Sequence, residues 1–106
     1  MPTVKETFDA MPKQFRADRA AGTNAVIQYD ISGDGGGTWH GIVKVGTFAV
    51  NEGPATNPNL TLQMSAQDWV DMVTGKQNGQ MLFMSGKLKI KGDMGLAMKL
   101  GSMFQM

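Results

Sequence analysis

Helical and strand patterns occur along this chain of 106 residues in an order that predicts an α+β fold. A helical stripe opens the sequence, four stretches of alternating apolar and polar residues follow, and a capped helix separates them from a fifth stretch. The length suits one domain over residues 1–106, which is large enough to bury a single core. We therefore expect five strands, with helices before, between and after them.

The first helix is predicted to begin after Thr3. Thr3 and Glu6 match a capping box, in which a hydroxyl and a carboxylate satisfy the free amides of a helix start. Pro12 should break or kink this helix, because its ring clashes with the preceding turn. A short second turn over 13–20 should follow and end at Gly22. The apolar stripe recurs at spacings of four, three and four: Val4, Phe8, Met11 and Phe15.

Strict alternation predicts four strands between residues 24 and 64. The glycine-rich stretch 33–37 lacks the Lys-Ser/Thr ending of a phosphate-binding loop, so we interpret it as a hairpin turn. The expected inward residues are Ala25, Ile27, Tyr29 and Ile31 in the first strand, Trp39, Gly41, Val43 and Val45 in the second, Phe48 and Val50 in the third, and Leu60, Leu62 and Met64 in the fourth.

The last third of the chain predicts two helices, a strand and one ambiguous segment. Ser65 and Asp68 form a second capping pattern, for a helix that ends at Gly75. The apolar run 81–84 has no clear periodicity. Lysines then alternate with Leu88 and Ile90 in a fifth strand with one basic face, and Asp93 can cap a last helix. The inner face of the first of these helices is expected to carry Trp69, Met72 and Val73.

Methionine is concentrated at the C-terminal end, where eight of the ten methionines lie in the last 43 residues. Methionine is unbranched and polarizable, so it packs around partners of variable shape. The cluster indicates an adaptable apolar cavity, and an ordinary core in a methionine-rich composition is the alternative. The last helix, over 94–104, is apolar on nearly all sides. Such a helix must be buried on both flanks or meet something other than water, which favours the cavity.

The charge is divided between the two parts of the chain. Residues 1–75 hold five basic and eight acidic side chains, for −3, whereas residues 76–106 hold five lysines and one aspartate, for +4. The row Lys87, Lys89 and Lys91 has two explanations. Lysines protect an exposed strand from edge pairing, or they contact anionic headgroups or ligand phosphates, at about 1 kcal/mol for each lysine near a membrane.

Several classes of function are disfavoured by composition. The absence of cysteine excludes disulfides, thiolate zinc sites and cysteine nucleophiles. His40 is the one histidine and has no orienting partner in the sequence, so we expect it to be structural and predict neither a metal site nor an enzyme. The net charge of +1 argues against a nucleic-acid partner. No apolar run could span a bilayer, and residues 1–15 lack the apolar segment of a secretory signal.

Two stretches resemble the sterol carrier protein type 2 family. Residues 61–76, TLQMSAQDWVDMVTGK, resemble its signature helix region, and residues 83–100, FMSGKLKIKGDMGLAMKL, resemble its C-terminal core. Thr38-Trp39 and Gly46 also fit. The resemblance spans nearly the whole chain, strongly over 60–100 and weakly over 1–25. It does not include the small–basic–leucine ending of peroxisomal members, because the chain ends Phe104-Gln105-Met106. We therefore expect a stand-alone cytoplasmic protein.

The resemblance implies a five-stranded, mostly antiparallel sheet with helices packed on one face, enclosing an apolar tunnel. Family members bind fatty acids, acyl-CoA, sterols or phospholipids there, without a cofactor and without catalysis by the domain itself. The headgroup or membrane contacts, which the charge pattern and not the resemblance indicates, are Lys87, Lys89 and Lys91. The implied lipid-binding residues, called the lipid set below, are Phe15, Ile27, Trp39, Phe48, Trp69, Met72, Met81, Leu82, Phe83, Met84, Ile90, Met94, Met98, Met103 and Phe104.

Two functional hypotheses follow. The first is a non-catalytic intracellular carrier of fatty acids, fatty acyl-CoA or similar lipids, with transient contact to anionic membranes. The second is an accessory domain that docks on a membrane or an enzyme and presents lipid substrates to it. An enzyme acting on lipid would rest on His40 alone. The sequence leaves the oligomeric state and the identity of the lipid open.

Overall fold

The computed structural model describes residues 2–20 and 22–103, with side chains described as far as residue 100. Helices and strands follow one another as the sequence predicts, with one additional short helix. They are α1 (Val4–Gln14), a 3-10 turn (Ala17–Ala20), β1 (Ala25–Ser32), β2 (Gly37–Lys44), β3 (Thr47–Glu52), β4 (Leu60–Ser65), α2 (Ala66–Val73), α3 (Gly79–Met84), β5 (Lys89–Gly92) and α4 (Met94–Met103).

The strands form one five-stranded sheet in the order β3-β2-β1-β4-β5. β1 and β4 are parallel, and the other neighbouring strands are antiparallel. This confirms the α+β class and the mostly antiparallel sheet. The chain must cross from β3, at one edge, past β2 and β1 to reach β4, and it does so through the crossover loop 53–59. In that loop Ala55 N–H donates to Gln28 Oε1 at 3.1 Å.

The helices pack on one face of the sheet, as the resemblance implies. Every second residue of β1 is buried, and the helices contact the sheet on that same face. Phe8 of α1 stacks between Trp39 of β2 and Trp69 of α2, with ring centroids 4.6 and 4.7 Å away. Tyr29 of β1 meets Phe8 edge-on at 5.1 Å. The indole N–H of Trp69 donates to Thr7 Oγ1 at 2.7 Å, which gives this buried donor an acceptor.

The capping box of α1 is confirmed in both directions. Glu6 N–H donates to Thr3 Oγ1 at 3.1 Å, and Thr3 N–H donates to Glu6 Oε1 at 2.9 Å. Pro12 does not break the helix, which continues to Gln14. The proline removes the N–H that would bond to the Phe8 carbonyl, but it lies in the last turn, where few helical bonds remain to be lost.

The predicted inward position of Val45 in the second strand is wrong. The alternating pattern extends inward-facing residues to Val45, but β2 ends at Lys44 and Val45 is exposed. Val45 and Gly46 form a two-residue hairpin turn, because Lys44 pairs with Thr47 across β2 and β3. Both residues have positive φ, +50° and +74°. This geometry is that of a type I′ turn, whose twist matches that of the strands.

The last third of the chain also differs in detail from the prediction. The ambiguous segment 81–84 is helical and belongs to α3. The fifth strand is shorter than expected, since β5 starts at Lys89 and Lys87 precedes it. In α2 the cap is confirmed, because Asp68 N–H donates to Ser65 Oγ at 3.1 Å. Its buried residues are Trp69 and Val70, with Met72 and Val73 half-buried. No helix in the described part of the chain is long and apolar enough to cross a bilayer.

Candidate functional site

Large apolar side chains are left in contact with water on α3 and α4. Of the described residues, six large hydrophobics are exposed, and all but Val45 lie on these two helices. We call the five the helical apolar surface: Met81 (67% exposed), Phe83 (43%), Met84 (74%), Met94 (46%) and Met98 (83%). All five belong to the lipid set. The two helices precede and follow β5 in the chain, and exposed large apolar side chains of this kind are found at binding surfaces.

Each of these helices is anchored to the core mainly through one leucine. Leu82 of α3 and Leu96 of α4 are buried, while Ala97 and Leu100 of α4 are half-buried. Side-chain caps begin both helices, since Gln80 N–H donates to Asn78 Oδ1 at 2.7 Å and Leu96 N–H donates to Asp93 Oδ1 at 3.0 Å. Both helices carry apolar side chains on the side that meets the core and also on other sides. The apolar side chains on those other sides are exposed to water.

α3 and α4 flank the edge strand β5, one before it and one after it. α4 packs against β4, β5 and the 3-10 turn. Ile90 of β5 lies opposite Leu62 of β4 and is half-buried on the helix-bearing face of the sheet. Met72 of α2 lies next to α3, with its sulfur close to the backbone of Gly79. Two half-buried members of the lipid set, Met72 and Ile90, therefore lie next to the helices that carry the helical apolar surface.

Other members of the lipid set are already packed inside the protein. Ile27, Trp39, Trp69 and Leu82 belong to the buried core. Phe15 and Phe48 are half-buried and stack on each other, with ring centroids 5.6 Å apart. For Met103 only the backbone is described, as part of α4, and Phe104 lies outside the described residues. Lipid contact by these residues stays a prediction.

Two depressions lie on other parts of the surface. One, of about 470 Å³, is lined by ends of β1, β4 and β5 and the start of β2. The other, of about 420 Å³, lies between the starts of α1 and α2 and the turn after β1. Neither is lined by a member of the lipid set, so neither corresponds to the implied tunnel, which stays a prediction.

The three lysines of the basic row are exposed, but they do not form one strand face. Lys89 and Lys91 are on the outward face of β5, opposite Gln63 and Thr61 of β4. Lys87 and Lys89 line the depression of about 470 Å³, and Lys91 does not. The sequence identified these residues but missed their neighbours in that depression. The alternating pattern of β1 predicts that Asp30 faces outward. No short-range sequence pattern predicts that β4 and β5 follow β1 in the sheet, so the nearness of Asp30 to Lys89 could not be predicted.

His40 has a structural role, as expected. Its Nδ1 is 2.8 Å from the carbonyl oxygen of Gly53, at the start of the crossover loop. A carbonyl only accepts, so Nδ1 carries the proton and the ring fastens the loop to β2. Among the described residues no three His, Asp or Glu side chains converge as a metal site requires. The pKa of the Tyr29 phenol is raised by burial, in a core away from the exposed helices.

The fold and this surface together define a class of protein: a small α+β domain whose sheet carries helices on one face, two of them with apolar side chains free to contact a ligand. A family model described as the SCP-2 sterol transfer family matches residues 6–105. The chain belongs to this family and is a lipid-binding domain of the SCP2 type.

The relatives differ from this chain in length. Hydroxysteroid dehydrogenase-like protein 2 of Xenopus tropicalis is 41% identical over 98 residues, which cover 92% of this chain and 24% of that protein. The chain therefore spans about a quarter of the length of the curated relatives it matches. The description 'dehydrogenase-like' is part of the name of those longer proteins, of which this chain matches only one part.

Solved structures share the fold. Sterol carrier protein 2 from Yarrowia lipolytica, in its apo form, is 28% identical, with a TM-score of 0.65 over 88% of this chain and 80% of that one. The palmitated SCP2L2 protein from Aedes aegypti is 21% identical, with a TM-score of 0.73 over 95% of this chain and 93% of that one.

Proposed function

We propose that this protein is a non-catalytic carrier of fatty-acyl lipids, which it binds against the helical apolar surface. The observation that carries the proposal is the exposure of five large apolar side chains on α3 and α4, in a chain that belongs to a lipid-binding family. In water this arrangement is unfavourable, and an acyl chain lying against both helices removes it. Half-buried Met72 and Ile90 would form the wall behind the ligand.

The hydrophobic effect supplies the driving force. Removing about 300 Å² of apolar surface from water is favourable by about 7 kcal/mol, before the cost of ordering the ligand and the helices. Four of the five side chains are methionines, which adapt to chains of different length and unsaturation because they have three rotatable bonds. We therefore propose broad specificity among fatty acids and their CoA esters, in the cytoplasm, with no chemical change to the lipid.

Binding of a fatty acid to the purified protein tests this function. Palmitate is a suitable probe, since the Aedes aegypti protein of the same fold was solved in palmitated form. We expect saturable binding by isothermal titration calorimetry. The double variant Met81→Gln/Met84→Gln should weaken it at least about tenfold, because two apolar contacts are lost. Both residues are mostly exposed, so the core is unaffected.

Val45→Gln is the matched control. Val45 is also exposed and apolar, but it lies at the β2–β3 turn. The Val45→Gln substitution should leave the affinity for palmitate unchanged. Absence of saturable binding by the unaltered protein would contradict the carrier function, and equal weakening by Val45→Gln would contradict the location of the site.

A second candidate function is docking on an anionic membrane, from which lipid is presented to a partner enzyme. The same observation favours it, because the exposed helices flank a strand with Lys89 and Lys91 on its outward face. Replacing Lys87, Lys89 and Lys91 by Glu should then abolish co-sedimentation with vesicles containing phosphatidylserine, because favourable contacts become repulsive. Unchanged co-sedimentation would exclude a role for these lysines at a membrane.

A further inference from the structure

The depression of about 470 Å³ lies on the outward face of the sheet, opposite the helices, and we call it the groove. Its floor includes a row of outward side chains from four adjacent strands. The register places Asp30 beside Thr38 and Gln63, and Gln63 beside Lys89. Ser32 and Ser65 form the next row and are also paired in register. A volume of this size is within the range of small-ligand sites.

Asp30 places a half-buried negative charge in this groove. Its carboxylate accepts from Gln28 Nε2 at 3.0 Å and from Gln63 Nε2 at 3.5 Å. Each carboxylate oxygen has two lone pairs, so each can accept one more hydrogen bond. No cation of the described chain lies within 4 Å of it. The charge is therefore held in place by neutral amides and is not neutralised.

Two lysines place positive charge at the other side of the same groove. Lys87 and Lys89 are exposed, and over the described residues neither is within ion-pair distance of a carboxylate. Lys89 and Asp30 are separated by one strand, which puts their backbones about 10 Å apart. The groove thus presents opposite charges at its two sides, with polar side chains between them.

We propose that this groove binds a small zwitterion with a primary ammonium and a phosphate group, of the phosphoethanolamine type. The ammonium has three donors and lies against Asp30, where two acceptor positions remain. A free phosphate monoester carries between one and two negative charges near neutral pH, and the phosphodiester of a headgroup carries one; either can lie against the pair Lys87 and Lys89. The side-chain amide of Gln63 lies on the floor between the two charged ends, and the hydroxyl of Thr38 lies on the other side of Asp30.

The crossover loop limits the site to this part of the sheet. The next row toward the loop contains His40, Gln28, Thr61 and Lys91 in register. Loop residues Gly53 and Ala55 bond to His40 and Gln28 in that row, and Lys91 does not line the groove. Lys91 is therefore a lysine of the same strand and the same face that lies outside the proposed site.

NMR titration of the amide groups tests the proposal. Phosphoethanolamine at millimolar concentration should shift the amides of Asp30, Thr38, Gln63 and Lys89 in a saturable manner. Glycerol 3-phosphate, which lacks the ammonium, and ethanolamine, which lacks the phosphate, should each bind at least about fivefold more weakly, because each forms half of the charged contacts. Equal affinity for phosphoethanolamine and glycerol 3-phosphate would overturn the assignment of a zwitterion.

Variants separate the two ends of the ligand. Asp30→Asn should weaken phosphoethanolamine at least about fivefold and leave glycerol 3-phosphate unchanged or tighter. Lys87→Gln/Lys89→Gln should weaken both, whereas Lys91→Gln should change neither. Weakening by Lys91→Gln as large as that by the double variant would indicate general attraction to a basic surface and overturn the site. Asp30 is half-buried and the three lysines are exposed, so none of the four belongs to the buried core, and an unchanged amide spectrum verifies the fold of each variant.

The ligand could be a free solute or the headgroup of a phospholipid, and vesicles distinguish the sources. Stronger retention on vesicles with phosphatidylethanolamine than on phosphatidylcholine alone, lost in Asp30→Asn, identifies a membrane headgroup. Soluble phosphoethanolamine binding without that retention identifies a free solute. Absence of saturable shifts with phosphoethanolamine overturns the proposal. Palmitate binding to the opposite face is measured separately, so either result can fail without the other.

Discussion

At the scale of single residues, the aromatic cluster shows how one side chain satisfies several requirements at once. Trp69 is buried between α1 and the sheet, and its expected contact with lipid stays a prediction. Its indole ring stacks on Phe8 and its N–H donates to Thr7, 62 positions away. Periodicity correctly placed Trp69 and Phe8 on inner faces. It could not pair Trp69 with Thr7, because that contact depends on how two helices cross.

Because Thr7 accepts a hydrogen bond from the buried indole of Trp69, we expect replacement of Thr7 by the similarly shaped valine to lower stability clearly. Thr7→Val should lower the free energy of unfolding by about 1–3 kcal/mol, because the buried indole N–H loses its acceptor. Thr7→Ser keeps the hydroxyl and should cost much less. Chemical denaturation measures both. A loss in Thr7→Val no larger than the loss in Thr7→Ser would contradict a dominant contribution of this hydrogen bond.

Because Tyr29 is buried, we expect the free energy of unfolding to fall at alkaline pH. Burial raises the pKa of its phenol in the folded protein. Its stabilising effect is therefore complete below the ordinary tyrosine pKa of about 10 and is lost as the pH rises beyond it, since the unfolded chain releases the proton first. The melting temperature should fall more between about pH 9 and pH 11 in the unaltered protein than in Tyr29→Phe.

The comparison is direct because Tyr29 is the single tyrosine of the chain. Its ionisation can be followed by ultraviolet absorbance without interference from another phenol, while lysine titration is common to both proteins. The same fall of melting temperature with pH in both proteins would mean that the phenol pKa is equal in the folded and unfolded chains, which would contradict the effect of burial.

At the scale of elements, local patterns predicted most helices and strands, and the differences have local causes. The three central strands were predicted by alternation, because each has one face in the core and one outward. The type of α3 was undecided, because only Leu82 of its six residues is buried and no face repeats. Val45 was misplaced because a β-branched residue at positive φ is unfavourable, so the sequence signals a strand where the hairpin needs a turn.

The β2–β3 turn offers a stabilising substitution. Val45 has φ of +50°, a conformation that costs a β-branched residue about 1–2 kcal/mol. Val45→Asn should raise the free energy of unfolding by about 1 kcal/mol, since Asn-Gly is the preferred pair for this turn. Val45→Thr keeps the β-branch and removes apolar character, so it should give no such gain. Equal stability of the two variants in urea denaturation would contradict the turn geometry as the cause.

At the scale of the whole molecule, the sheet separates two surfaces of different chemistry. Helices cover one face, and two of them leave apolar side chains in water. The other face is polar, is crossed by the loop 53–59 and carries charges of both signs. The acyl chain and the charged headgroup or solute proposed above would therefore occupy opposite faces of one small domain.

Ligand binding at the helical apolar surface should stabilise the entire fold. A ligand that binds only the folded protein adds about 2.7 kcal/mol at a concentration one hundred times its dissociation constant. Saturating palmitate should therefore raise the melting temperature, and the rise should be smaller for Met81→Gln/Met84→Gln at the same concentration. Val45→Gln should behave like the unaltered protein. A rise of equal size in all three proteins would indicate binding away from α3.

The sequence by itself determined the α+β class, the capped starts of α1 and α2, the inward residues of β1 and β4, and the excess of methionine and lysine at the C-terminal end. These features are encoded by neighbours within a few positions, through periodicity and capping. Only the tertiary structure decided that Trp69 stacks on Phe8 and bonds to Thr7, that the apolar sides of α3 and α4 face water, and that Asp30 shares a groove with Lys87 and Lys89. Each of these depends on strand order, register and helix packing, which bring together residues far apart in the chain.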